Sequence, residues 1–129
     1  MTLPAASCRN EVLVVDDNPA ILHLVARLVR SVASLSARCF ESPAAALRAF
    51  GDDSQRFRMI ISDFDMPGMN GAELLREIAR RRPELPMVLF SGSTEEEIVS
   101  SRLPSQCRFL SKPGGIKKLI EMIQAVAAG

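Results

Sequence analysis

No charge of one sign dominates this chain. Across 129 residues, 16 lysines and arginines stand against 15 aspartates and glutamates, a formal net charge of +1. Binding nucleic acid or an anionic membrane through bulk charge needs a larger excess, so neither is expected as a partner. The basic cluster Arg80-Arg81-Arg82 reads as the solvated end of a helix, where cations complement the dipole. Cysteine is scarce and odd in number, with Cys8, Cys39 and Cys107 and no CxxC spacing. That argues against a disulfide framework or a zinc site, and for a reducing, cytoplasmic setting. Cys39 and Cys107 lie in apolar stretches and are expected in the core. No run approaches the ~18 apolar residues of a membrane span, and Met1 to Asn10 lacks the apolar stretch of a signal peptide. There is no repeat and no low-complexity tract. The absence of a glycine-rich phosphate loop or dinucleotide fingerprint disfavours nucleotide binding.

What is present is enough apolar residue, 47% of the chain, to build the core of one domain. Glu11-Val-Leu-Val-Val15 is a β-branched run suited to a strand buried on both faces. It breaks into Asp16-Asp17-Asn18-Pro19, where Asn18 suits a helix cap and Pro19 the first helical position. Ile21, Leu22, Val25, Leu28, Val29 and Val32 follow at helical spacing, with His23, Arg27 and Arg30 on the wet face. Ser36 to Phe40 reads as a weak second strand and Ala44 to Phe50 as a short helix. Asp52 to Arg58 reads as a polar surface loop. Met59 to Ser62 is the third strand, Gly71 to Arg82 a helix, Pro86 to Phe90 the fourth strand. Thr94 to Arg102 is expected as a fourth helix, Arg108 to Ser111 as the fifth strand, and Ile116 onward as the last helix. Strands alternating with helices predict a parallel α/β sheet covered on both faces.

In a parallel sheet all the strand ends share one edge, where such folds place their chemistry. Here that edge collects Asp16 and Asp17 from strand one, Asp63 from strand three, Ser91 from strand four and Lys112 from strand five. Two carboxylates ~4 Å apart repel by about 4 kcal/mol at an effective dielectric of ~20. A hard divalent cation relieves this, and an all-oxygen donor set with few ligands suits Mg2+. A lysine and a hydroxyl facing such a cation make a cradle for a phosphoryl group.

Taken together, Val-Leu-Val-Val-Asp-Asp17, Ile-Ser-Asp-Phe-Asp-Met-Pro-Gly-Met-Asn-Gly71, Leu-Phe-Ser-Gly92 and Phe-Leu-Ser-Lys-Pro113 resemble the receiver domain of two-component response regulators. This is the phosphoacceptor module of chemotaxis-regulator type, with a flavodoxin-like fold, and the likeness runs over about residues 11–128. It implies a five-stranded parallel sheet of order 2-1-3-4-5 with five helices on both faces, in three α/β/α layers. Residues 1–10, with Pro4, Ala5, Ala6 and Ser7, read as a flexible lead-in. Five β-α units take up the remainder, so 11–129 is expected to be a single receiver domain, with no output domain. Asp63 would be phosphorylated. Mg2+ would be held by Asp16, Asp17, Asp63 and the backbone carbonyl of Asp65. Ser91 and Lys112 would bind phosphoryl oxygens, Phe109 would be the aromatic switch residue, and the Lys112-Pro113 bond would be cis. The donor would be a histidine kinase or a histidine phosphotransfer protein. The output would be a downstream protein, or a phosphorylation-dependent dimer, at the face of the fourth helix, fifth strand and fifth helix.

Several positions depart from the family pattern: Asp65 is acidic, Asn70 replaces the usual Asp, Arg58 stands where an acidic residue is common, and Ser91 replaces threonine. Gly92 leaves the pocket entrance open, and Gly114-Gly115 is expected to loosen the start of the last helix. His23, the only histidine, reads as a surface residue that borders the donor's docking side. A competing reading takes Asp63-Phe-Asp65 as the DxD motif of haloacid-dehalogenase-type phosphatases. Against it, that motif normally follows a first strand, and this chain has no room for a cap.

Overall fold

A computed structural model describes residues 10–32, 34–92, 102–112 and 114–128. In chain order it contains β1 (Glu11–Val15), α1 (Pro19–Arg30), β2 (Ser36–Phe40), α2 (Pro43–Asp52), β3 (Phe57–Ser62), α3 (Gly71–Arg81), β4 (Met87–Ser91), β5 (Cys107–Ser111) and α4 (Ile116–Ala128). The strands form one sheet of order β2-β1-β3-β4-β5, and every pairing is parallel. This is the expected doubly wound architecture. Four α-helices lie among the described residues. The helix expected from Thr94 falls outside them up to residue 101, and Arg102 is non-helical, with φ +55°.

Period-two alternation splits the strands between two cores. Leu13, Val15, Ile60, Met87 and Leu89 face α2 and α3, where Phe50, Leu74, Leu75 and Ile78 meet them. Val12, Val14, Met59, Ile61, Val88 and Phe90 face α1 and α4, packing on Leu22, Val25, Val29, Leu119 and Ile123. Each such side chain contributes about 1.5–3 kcal/mol on burial. The central strands are thereby fixed on both faces, and so are the residues at their carboxyl ends.

The helix starts follow local chemistry. Asn18 Oδ1 accepts from the Ala20 N–H at 2.9 Å and the Ile21 N–H at 3.4 Å, with Pro19 behind it. Asn70 and Glu73 form a reciprocal capping box, both bonds 2.9 Å, at the start of α3. Two otherwise unpaired amides are satisfied there, so Asn70 serves this turn well.

Four sequence expectations fail locally. Asp52 to Arg58 is not a loop: α2 runs to Asp52, a single 3-10 turn covers Ser54–Arg56, and β3 begins at Phe57. Phe57 is fully buried and stacks on Phe50, ring centroids 5.9 Å apart. The β1–β3 register shifts here, with Glu11 opposite Phe57 but Val12 opposite Met59, so Arg58 is the bulged residue. Its guanidinium donates to the Val126 carbonyl at 2.7 Å, one of the carbonyls that the end of α4 leaves without a helical partner. The arginine run is also split. Arg80 and Arg81 are exposed, but Arg82 is buried and donates to the Ser54 carbonyl (2.7 Å), the Phe57 carbonyl (2.8 Å) and Glu84 (2.7 Å). Cys39 is exposed, because β2 is an edge strand. Gly115 does not loosen α4: it is buried, its N–H donates to the Ser111 carbonyl at 2.7 Å, and an added Cβ would lie 2.8 Å from that oxygen.

Candidate functional site

The carboxyl edge of the sheet gathers the acidic residues. Asp16 directly follows β1 and is 3% exposed. One of its oxygens accepts from the Asn18 N–H at 2.9 Å, so the residue that caps α1 also orients this carboxylate. Asp17 is exposed at the rim. Asp63 follows β3 and is buried, its N–H bonded to the Val15 carbonyl at 2.9 Å. One carboxylate oxygen from each of Asp16, Asp17 and Asp63 lies within 4.8 Å of the others.

Lys112 reaches into this group from the end of β5. Its ammonium donates to Asp16 Oδ2 at 2.8 Å and to Asp63 Oδ1 at 3.4 Å. Its backbone N–H is held by the Ser91 carbonyl at 2.9 Å. Ser91 ends β4, is 1% exposed, and pairs in register with Ser111, the residue before the lysine. Burial raises the Asp63 pKa above the usual carboxylate range, and the neighbouring Asp16 charge raises it further. The Lys112 ammonium and the Phe64 N–H work the other way. Three crowded carboxylates with only oxygen donors and one lysine counter-charge fit a hard divalent cation. Asp16, Asp17 and Asp63 are the side chains able to hold it.

The turn after β3 packs with little tolerance. The Gly71 N–H donates to the Phe64 carbonyl at 2.8 Å, and a Cβ on Gly71 would sit 2.0 Å from the Asp63 carbonyl oxygen. Only glycine allows α3 to start this close beneath the carboxylate. Gly68, with φ +87°, turns the chain back toward it. Asp65 is exposed at the rim of this turn. Phe109 lies on β5 in register with Leu89, half-buried against the core on the α2–α3 side. Pro113 lies outside the described residues.

Three neighbours of the site escaped the sequence reading. Gly71 looks like an ordinary turn glycine until the approach to Asp63 is seen. The Ser62 hydroxyl donates to the Asp63 carbonyl at 2.8 Å. The Phe90 ring lies beneath the lysine, with Lys112 Nζ 5.6 Å from its centroid. Alternation along β4 marks Phe90 only as core.

The family model described as the response regulator receiver domain matches residues 12–124. The chain belongs to that family. Among curated relatives of this receiver domain, the transcriptional activator protein ExaE of Pseudomonas putida is 34% identical over 120 residues. That match covers 92% of this chain and 55% of ExaE. The DNA-binding transcriptional regulator NtrC of Escherichia coli is 31% identical over 117 residues, covering 90% of this chain and 24% of NtrC. The receiver chain thus spans about half of the first relative and a quarter of the second. Among solved structures, the chemotaxis protein CheY4 of Vibrio cholerae superposes with TM-score 0.78 at 24% identity, over 92% of this chain and 99% of that one, a likeness of fold. The comparisons give the phosphatase reading no support, and Asp63 follows the third strand rather than the first. Among the described residues no helix is long and apolar enough to cross a membrane.

Proposed function

We propose that Asp63 accepts a phosphoryl group from a phosphohistidine on a histidine kinase or histidine phosphotransfer protein. The observation that carries the reading is the convergence of Asp16, Asp17 and Asp63 within 4.8 Å, with the Lys112 ammonium bridging two of them. An Asp63 oxygen attacks phosphorus as the phosphorus–nitrogen bond breaks, and the imidazole leaves with that electron pair. The developing charge spreads over the equatorial oxygens, where Lys112 and the Ser91 hydroxyl meet it. Asp16, Asp17, Asp63 and the backbone carbonyl of Asp65 are the ligands proposed for Mg2+, which when bound neutralises charge on the phosphoryl oxygens.

The product is a signal. The acyl phosphate draws Ser91 and Lys112 inward, and Phe109 fills the vacated space. The face formed by the expected fourth helix, β5 and α4 then changes for a downstream protein or a second copy. Residues 11–129 act as the receiver unit behind a lead-in of residues 1–10, in the cytoplasm. The domain assists its own phosphorylation and dephosphorylation and turns over no separate substrate.

The test is intact mass after incubation with acetyl phosphate and Mg2+, with Asp63→Asn as control. One added phosphoryl mass in the parent and none in the variant is expected. An unmodified parent, or a modified Asp63→Asn, overturns the assignment.

A further inference from the structure

Phe90 does more than fill the core. It is 2% exposed and packs with Val14, Val25, Ile61 and Leu119 on the α1–α4 side. It lies in the same packed niche as Asp16 and Asp63, and its ring faces the lysine ammonium at 5.6 Å. That ammonium is partly withdrawn from water, its side chain 19% exposed. A cation at this distance over an aromatic face is attracted by the ring quadrupole, more strongly as water is removed. The ring takes no hydrogen bond from the nitrogen. The N–H groups therefore remain for Asp16 and Asp63, which they meet at 2.8 and 3.4 Å.

A lysine stem is long and loses considerable rotamer entropy when held. The backbone contact to Ser91 fixes where the stem begins. The two carboxylates hold its end through the N–H groups. The ring face adds a restraint that uses none of those N–H groups.

We propose that Phe90 is a positioning residue: its ring holds the Lys112 ammonium above the Asp16–Asp63 pair, ready for the phosphoryl group. The inference rests on Asp63 being the phosphoacceptor, and its test separates the two.

Phe90 is replaced by mono-, di- and trifluorinated phenylalanine, which drain charge from the ring face with little change of shape. Each protein is phosphorylated with acetyl phosphate and Mg2+. The rate is expected to fall stepwise, by roughly two- to five-fold across the series, whereas a residue that only packs gives a flat series. Independently, the Lys112 ε-methylene protons are followed by NMR in the unphosphorylated chain. They should lie upfield in the parent through the ring current and return to ordinary values in Phe90→Leu. A flat series, or unshifted protons in the parent, overturns the proposal. A parent that takes up no phosphoryl group overturns the acceptor reading instead, and the proton shift then decides the Phe90–Lys112 contact alone.

Discussion

The Lys112 ammonium sits closer to Asp16, at 2.8 Å, than to Asp63, at 3.4 Å. Its strongest bond is thus to a carboxylate that also receives the Asn18 N–H, and Asp63 holds it less tightly. Lys112→Met leaves two buried carboxylates without their counter-charge. Without Mg2+ the variant should lose about 1–3 kcal/mol of stability in urea unfolding. Mg2+ should restore a larger share in the variant than in the parent. Equal responses to Mg2+ would separate the lysine from the cation site.

Asp63 gives the chain a pH signature. Its carboxyl pKa is raised in the fold by burial and by Asp16, so the folded chain binds this proton more tightly than the unfolded chain does. Stability is then greatest below the unfolded value and falls as pH rises through the folded one. In EDTA, Asp63→Asn should be the more stable protein at neutral pH, and its advantage should vanish toward pH ~4. Parallel curves of urea midpoint against pH for parent and variant would contradict this.

Gly71→Ala places a methyl 2.0 Å from the Asp63 carbonyl oxygen. Backbone cannot swing aside as a side chain can, so the start of α3 must move. A loss of about 3 kcal/mol in urea unfolding is expected, with slower phosphoryl uptake. A change within experimental scatter would show that the turn is more yielding than its packing.

The adjacent arginines should behave differently. Arg82→Ala strips partners from the Ser54 and Phe57 carbonyls and should cost about 2–4 kcal/mol. Arg80→Ala, at an exposed position, should change stability by no more than about 0.5 kcal/mol. Similar denaturation midpoints for the two variants would refute the division.

Cys39 and Cys107 should separate under alkylation. Cys39 is exposed, and although burial raises its thiol, the nearby Arg30 charge works against the rise, while burial pushes the Cys107 thiol up to about 12. Only the thiolate reacts quickly. At mildly alkaline pH, peptide mapping should find Cys39 labelled in the folded chain and Cys107 labelled mainly after urea is added. Simultaneous labelling would count against the partial burial of Cys107.

Much of the fold was legible because its signals are local. The run Val12 to Val15 needs no partner to read as a buried strand, and Asp16, Asp63, Ser91 and Lys112 each follow or end such a strand. Parallel topology then brings them together. What escaped was decided at long range. Phe57 stands between Arg56 and Arg58 and looks polar by context, yet Phe50 and Glu11 place it in the core and the sheet. Arg82 looks like its neighbours until the Ser54 carbonyl, 28 positions away, is found beside it. Cys39 has strand chemistry, but its strand has a neighbour on one side only. Gly115 and Gly71 are glycines because of oxygens that come near them in space. Phe90 was legible as core and illegible as a platform, since nothing in its own segment points to Lys112.

The bulge at Arg58 makes α4 a strut with both ends made fast. One end is seated on Ser111 through Gly115, at the corner that carries Lys112, and the other is tied by Arg58 at Val126. The helix between is 13 residues, about 20 Å at the usual rise. A rod pinned at its far end cannot slide freely when its near end is pushed. Any displacement at the Lys112 corner would instead tilt it about the pin, by most near Ile116 and by least near Val126.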